Sequence, residues 1–335
     1  MNTQHNVDIA SLTTFHVHEM AETVVCCQST NDVITALQAA TKPIRILGGG
    51  SNILVTQTVS DVILKVEIMG RLVLFEDEHT ITIRFGAGES WHESVAWCVA
   101  QGYGGLENLA LIPGTVGAAP MQNIGAYGVE QEQCFDHCSG VNRTSMQECT
   151  FRADDCAFGY RDSVFKQALR NSVVITHVAY TLSKQPAVHC NYADVQHELQ
   201  ARSISEPSIA DVFHAVVAIR TRKLPDPAQI GNAGSFFQNP VVDAGLATRL
   251  HAAFPSMPSY PQADGRVKLP AAWLIDQCGW KGYRKGDAGV HVNQALVLVN
   301  YGMATGEEIY VLSEEIKRSV LDRFSVALET EVNRW

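Results

Sequence analysis

Apolar and polar positions alternate along HTITIRF, from His79 to Phe85, and again along NSVVITHVAYTL, from Asn171 to Leu182. A period of two turns one face of the chain toward a core and predicts strands. Helical spacing alternates with these stretches. A Ser-Thr-Asn cluster leads into a short helix over residues 31–40, followed by the strand-like PIRIL, which stops at a glycine triplet. Ser90 and Glu93 read as a capping box for SWHESVAWCVA, closed by Gly102. Ser208 starts IADVFHAVVAIRTRK, which must end before Pro225. In the last third, LPAAWLIDQC predicts a helix stopped by Gly279, QALVLVN a strand, and Thr305 with Glu308 a capping box for EEIYVLSEEIKRSVLDRF. ALETEV predicts a closing strand. The stretch GGLENLALIPGTVGAAPMQNIGAYG supports neither element, yet it is too apolar for a solvated linker and predicts a packed loop.

This alternation of elements is an α+β pattern. At 335 residues the chain exceeds what one core usually serves, so two or three domains are expected, with a boundary near residue 220. A formal charge of -10 argues against a broad basic surface for nucleic acid or anionic membranes. Any phosphate-bearing partner must then be gripped locally. The first residues lack the basic and apolar regions of a secretory signal, and no apolar run approaches the roughly 20 residues of a spanning helix. A cytoplasmic chain without membrane contact is expected. Nine cysteines without a CxxC pair predict reduced, mostly packed thiols and no metal site.

Several short motifs could carry chemistry, each with a plainer alternative. In ILGGGSNIL, the amides of Gly48, Gly49, Gly50, Ser51 and Asn52 could line a pyrophosphate, although the stretch lacks the third glycine of the dinucleotide fingerprint and could equally be an unliganded turn. The loop LIPGTVGAAPMQNIGAYG could approach a flat ring closely with its small residues, or simply be buried. FGYRDSVFK offers Tyr160 and the guanidinium of Arg161, suited to a carboxylate or to a surface ion pair. GNAGSFF sets Ser235 among small residues and phenylalanines, as a proton donor or a turn serine. Glu329 and Glu331, two apart, would share one side of a strand. His291 and Asn293 precede a strand, but a lone histidine is more often structural.

Taken in order, GGGSN, ENLALIPGTVGAAPMQNIGAYGVE, FGYRDSVFK, KLPDP, GNAGSFFQNP, YPQADGRVKLPAAWLIDQCGWKG and LETEV resemble the UDP-N-acetylenolpyruvoylglucosamine reductase family, over about residues 14–332. The resemblance implies an FAD-binding fold of the vanillyl-alcohol oxidase type in two α+β subdomains, 1–70 and 71–219. It adds a C-terminal α+β substrate-binding domain over 220–335, whose last strand returns to the flavin site. FAD would be held non-covalently by Gly48 to Asn52 at its pyrophosphate, by Ile112, Pro113, Gly114, Ala118, Ile124 and Gly125 along the ring, and by Arg220 at a phosphate. Tyr192 matches the mobile tyrosine of one family branch, and Tyr127 and Tyr160 fall at the substrate. Lys223, Asn239 and Gln294 match positions that hold its diphosphate.

The implied chemistry is reduction of an enolpyruvyl sugar nucleotide by NADPH through FAD, in two half-reactions at one site, with ping-pong kinetics. Charge driven onto the substrate carboxylate would be met by Arg161 and by Glu331, protonated or sharing a proton, and Ser235 would protonate C2. Donors of this kind lower a barrier by about 3 kcal/mol each. Many relatives continue beyond LEPEV with a longer tail, where this chain reads Thr330, Glu331, Val332, Asn333, Arg334 and Trp335, so support for Glu331 is the weakest part of the carry-over. A monomer acting on a small-molecule substrate is expected. Two other readings stand beside it: a flavin oxidase of the same fold, and a catalytically silent nucleotide-sugar binder. Ser235 and Arg161, both present, argue against them.

Overall fold

The computed structural model describes residues 1–335, and the chain divides into two compact units. Unit 1 takes residues 1–7, 21–49 and 60–222, and unit 2 takes residues 8–20, 50–59 and 223–335. Both mix helices and strands.

Unit 1 begins with a four-stranded sheet in the spatial order Asn2–Asp8, Met20–Cys27, Val59–Val66, Ile44–Leu47. The last two run parallel, Ile44 opposite Val62. The helix Thr30–Ala39 starts where the polar cluster said it would: the Ser29 side chain accepts from the Asp32 amide at 3.1 Å. Its buried residues Val33, Ala36 and Leu37 lie three and four apart, the spacing that gives a helix one apolar stripe. That stripe packs with Val25, Cys27, Leu64 and Val66.

A five-stranded antiparallel sheet follows, in the order Glu148–Arg152, Phe135–Asn142, Val173–Ser183, Thr80–Gly86, Arg71–Glu76. Its alternating positions Ile81, Ile83, Phe85, Val178, Tyr180 and Leu182 are buried with Trp91, Val95 and Cys98 of the helix Trp91–Ala100. The helix Ile209–Lys223 adds Val212, Ala215, Val216 and Ile219 to that cluster. Burying side chains of this size contributes about 1.5–3 kcal/mol each, so these helices are held by packing more than by propensity.

Unit 2 is built on a four-stranded sheet ordered Gly231–Ser235, Val297–Asn300, Ala288–Val290, Arg284–Lys285, with the helices Ala271–Gln277 and Gly306–Phe324 sharing its core. The capping box is complete, with the Glu308 amide donating to Thr305 Oγ1 at 3.2 Å and the Thr305 amide to Glu308 Oε2 at 2.8 Å. ALETEV departs from expectation: it is extended but makes only a bridge, Phe237 to Thr330, and the strand proper is Asn333–Arg334, parallel to Ile53–Leu54. The segment 326–332 still alternates, burying Val326, Leu328 and Val332, but its neighbour at Phe237 offers too short a run to complete a ladder.

No helix is long and apolar enough to cross a membrane.

Candidate active site

Each unit gathers its own group of the residues singled out above. In unit 1 the glycine turn and the small-residue loop lie against each other. A methyl group on Gly49 would stand 2.9 Å from Gly114 Cα, and one on Gly48 would stand 2.7 Å from Thr115 Oγ1, so a side chain at either position would push the two segments apart. The loop is fixed in turn by the Trp91 amide donating to the Gly114 carbonyl at 3.0 Å and the Val116 amide to the Glu89 carbonyl at 2.9 Å. Within it Val116, Ala119 and Ile124 are buried, whereas Pro113 and Ala118 are exposed and Ile112 and Gly125 half-buried. The expected packed loop is therefore anchored on one side and open on the other.

Arg161 sits beyond the end of this loop with φ 54°, and its guanidinium donates to the Gly125 carbonyl at 2.6 Å and lies 5.3 Å from the Tyr160 ring centre. Asn123, fully buried with φ 44°, ties the two segments together. Its Nδ2 donates to the Gly159 carbonyl at 3.2 Å and to Glu130 Oε2 at 3.1 Å. Burial, with the Glu132 carboxylate nearby, raises Glu130 above the usual carboxylate range.

Arg220, on the helix Ile209–Lys223, donates from Nε to the Leu111 carbonyl at 3.2 Å and is hydrogen-bonded to the Tyr127 phenol. Burial lowers its guanidinium below its ordinary value, and burial likewise raises the Tyr127 phenol. The Tyr127 ring meets Tyr192 edge-on at 5.4 Å. Tyr192 precedes the helix Ala193–Ala201 and is 47% exposed. A guanidinium withdrawn from water beside a carbonyl and a phenol, with the Arg161 charge also felt, is a setting that an anion such as a phosphate would balance. The open small-residue loop and this cation fit the dinucleotide flavin that the resemblance implies.

In unit 2, Gly50 adopts φ 63°, and a side chain there would collide with the Leu12 carbonyl at 2.0 Å. Only glycine fits both conditions. Ser51 and Asn52, both half-buried, follow it, and Asn52 Nδ2 donates to the Glu331 carbonyl at 3.1 Å. Ser235 ends the strand Gly231–Ser235, opposite Val297, after an irregularity at Gly234, where φ is 69°. The bend leaves Ser235 exposed between buried neighbours at Ala233 and Phe236. The Glu331 amide donates to the Phe236 carbonyl at 2.9 Å. Backbone pairing thus carries Glu331 to the strand end that presents Ser235.

The diphosphate candidates of unit 2 differ in what they already do. Asn239 Oδ1 accepts from the Ala271 amide at 2.9 Å, capping the helix Ala271–Gln277, which leaves its amide nitrogen as the group for a ligand. Gln294 is half-buried, and its Oε1 accepts from the Leu296 amide at 3.4 Å. Lys223 ends the helix Ile209–Lys223 and is half-buried.

Three residues have structural roles that the sequence did not announce. His92 Nδ1 accepts from the Leu111 amide at 3.0 Å, so it helps hold the loop that Arg220 also holds, and burial keeps its pKa low enough for that neutral ring. Asn123 stood inside the loop motif, but nothing local marked it as a hub. Thr14 donates its amide to the Gly50 carbonyl at 3.1 Å and accepts from the Asn232 amide at 2.9 Å, joining the glycine turn to the Ser235 strand. Its buried Oγ1 and the Nδ1 of His291, also buried, have no hydrogen-bond partner.

Residues 226–335 match the model of the UDP-N-acetylenolpyruvoylglucosamine reductase C-terminal domain, and residues 21–145 match an FAD binding domain. UDP-N-acetylenolpyruvoylglucosamine reductase from Pseudomonas putida is 45% identical over 335 residues, covering 99% of this chain and 98% of its own. The enzyme of that name from Flavobacterium johnsoniae is 42% identical, with 99% of each chain covered, and the one from Burkholderia vietnamiensis 52% identical over 88% of this chain and 85% of its own. The crystal structure of the Thermus caldophilus enzyme shares the fold, with a TM-score of 0.69 over 100% of this chain and 99% of that one at 23% identity. The chain belongs to the UDP-N-acetylenolpyruvoylglucosamine reductase family, and is an oxidoreductase with an FAD-binding domain.

Proposed function

We propose that this chain uses NADPH, through non-covalently bound FAD, to reduce the enolpyruvyl ether of UDP-N-acetylglucosamine to UDP-N-acetylmuramate in cytoplasmic peptidoglycan precursor synthesis. The observation that carries the reading is local to unit 2: Ser235 is exposed at a bent strand end, and Glu331 is hydrogen-bonded through its backbone to the next residue. An exposed alcohol at a strand end, with an acid carried on the segment paired to it, suits delivery of a proton to carbon. Full-length relatives carrying the reductase name support the substrate assignment. The division into 1–70, 71–219 and 220–335 belongs to the same reading.

FAD would supply the hydride, taken from NADPH and passed to the terminal carbon of the enolpyruvyl group. The chain's own residues then manage charge and protons. The glycine-turn amides and the Arg220 guanidinium offset the cofactor phosphates, and the loop from Ile112 to Gly125 supplies a close apolar face for a flat ring. Lys223, Asn239 and Gln294 hold the diphosphate of the sugar nucleotide, and Tyr192, with Tyr127 and Tyr160, closes over it. Hydride arrival pushes electrons onto the substrate carboxylate. Arg161 offsets that charge, Glu331 hydrogen-bonds it, and Ser235 gives its proton to C2, a centre basic enough to take one from an alcohol.

The test is spectroscopic. Purified protein should be yellow, and anaerobic NADPH should bleach it without the enolpyruvyl sugar, which should then restore the colour. A colourless preparation that gains no absorbance with added FAD removes the proposal. Reoxidation by oxygen alone, and not by the sugar nucleotide, would favour the flavin oxidase reading.

A further inference from the structure

Arg161 stands at the tip of a two-residue turn. Gly159 and Asp162 close it, each amide donating to the other's carbonyl at 3.1 Å, with Tyr160 and Arg161 between them. The Gly159 carbonyl also accepts from Asn123 Nδ2 at 3.2 Å, so Asn123 holds the base of the turn. Asn123 is fully buried, and its Oδ1 accepts from the Gln131 side chain at 3.3 Å and from the Glu132 backbone amide at 3.2 Å. A backbone amide only donates, which fixes the orientation of the Asn123 side chain and leaves two N–H groups to be met. One goes to Gly159 and the other to Glu130 Oε2, at 3.1 Å.

Glu130 reaches Arg161 by a second route. It pairs with Gly125 in the short hairpin of Gly125–Ala126 and Val129–Glu130, and the Gly125 carbonyl accepts from the guanidinium at 2.6 Å. A methyl group on Gly125 would stand 2.7 Å from Glu130 Cγ and 3.1 Å from Arg161 Nη1, so both side chains flank one spot. Arg161 at φ 54° and Tyr127 at φ 51° hold a left-handed backbone that neither residue prefers, and such a conformation lasts only where surrounding contacts enforce it.

We propose that Glu130 is a positioning residue for Arg161, holding the guanidinium through Asn123 and Gly125 where the substrate carboxylate must meet it. The role rests on the functional reading above, in which Arg161 offsets charge on that carboxylate. Burial, and then the hydrogen-bonded Glu132 carboxyl, favour the protonated form of Glu130 against the opposing Arg161 charge. In that form it accepts from Asn123 and shares its proton with Glu132, and a glutamine amide reproduces both bonds. An apolar side chain reproduces neither and leaves a buried N–H of Asn123 unmet, which loosens the Gly159 turn. A displacement of about 1 Å at a reacting group costs up to about a hundredfold in rate.

Stopped-flow absorbance of the two half-reactions tests this in the FAD-loaded full chain. Glu130→Leu should bleach with NADPH near the wild-type rate and recolour with the sugar nucleotide roughly tenfold to a hundredfold more slowly. Glu130→Gln should recover most of that loss. In a chain already carrying Arg161→Ala, Glu130→Leu should slow recolouring no further, because its effect passes through the guanidinium. Additive slowing in that pair overturns the proposal, as does a Glu130→Leu chain that recolours like the wild type or loses both half-reactions equally. Should Glu130→Leu fail to hold FAD, Glu130→Asp, which draws the carboxyl back from Asn123 by one methylene, is judged by the same outcomes. A wild-type chain that the sugar nucleotide does not recolour removes the functional reading itself, and this role with it.

Discussion

Glu331 is joined to the Ser235 strand by its backbone, the amide donating to the Phe236 carbonyl at 2.9 Å while its own carbonyl accepts from Asn52 at 3.1 Å. The carboxylate is thereby carried on a segment fixed at two points. Side-chain changes at either residue should therefore alter chemistry with little effect on folding.

Ser235→Ala should leave flavin bleaching by NADPH near the wild-type rate and slow recolouring by the sugar nucleotide by orders of magnitude. The hydroxyl is exposed, so the substitution leaves no cavity. Stopped-flow absorbance of the two half-reactions checks it. Equal slowing of both would take the proton-donor role from Ser235.

The two glycine-turn positions should differ in severity. Gly49→Ala meets Gly114 at 2.9 Å, an overlap that small shifts relieve at about 1–3 kcal/mol. Gly50→Ala meets the Leu12 carbonyl at 2.0 Å and also forces a left-handed φ on a side chain. Melting midpoints should fall for both and fall further for Gly50→Ala, with FAD affinity, read by fluorescence titration, weakened in Gly49→Ala.

Glu130 gives a stability signal with pH. Because burial raises its folded value above 4.5, the folded chain holds this proton more tightly than the unfolded chain. The contribution of this group to stability is greatest below pH 4.5 and declines as pH rises through the folded value. Glu130→Gln removes the ionisation and keeps an oxygen to accept from Asn123. Its midpoint at pH 7 should match or exceed that of the wild type, with the difference shrinking toward pH 4.5; a lower midpoint at pH 7 would contradict this account.

Burial raises Cys27 to about 11, and Cys98 and Cys134 to about 12. Only the thiolate reacts. Native protein at pH 8 should leave these three of its nine cysteines unlabelled by a soluble disulfide reagent, and all nine should react after denaturation. Mass spectrometry of the labelled peptides decides it.

Removing Asn333, Arg334 and Trp335 deletes the bonds from the Asn333 amide to Asn52, from the Trp335 amide to Leu54 and from the Thr56 amide to Trp335. At about 1 kcal/mol each, roughly 3 kcal/mol of stability is lost. Asn52, which holds the Glu331 carbonyl, loses its own bonds from Asn333, so Glu331 is less firmly placed and turnover should fall by more than FAD affinity does. Parallel measurement of kcat and flavin affinity in the truncated chain separates the two effects.

What the sequence disclosed was mainly local. Ser29, Ser90, Ser208 and Thr305 each announce a helix because a cap is satisfied within four residues. The strands ending at Gly86 and near Ser183 were legible because β-branched residues fill their runs, even though most positions on both faces are buried. Pairings between distant segments left no such trace. Nothing near Ile53 announces Asn333 as its partner, which is why the closing strand was expected at 327–332 and stands at 333–334. Among site residues, the glycines were visible because a missing side chain is itself a signal. Asn239 as a helix cap, His92 as a loop anchor and Thr14 as a bridge depend on residues far along the chain, and no short motif encodes them.

The interleaving of the two units bears on how the molecule is made. Unit 2 draws on residues 8–20 and 50–59, which leave the ribosome early, and on 223–335, including the pairing of Ile53–Leu54 with Asn333–Arg334. Early-emerging apolar positions such as Phe15, Val17 and Leu54 must wait, unpaired, for most of translation before their core can close. Until residues 223–335 follow, the segments 8–20 and 50–59 have no unit 2 core to close on.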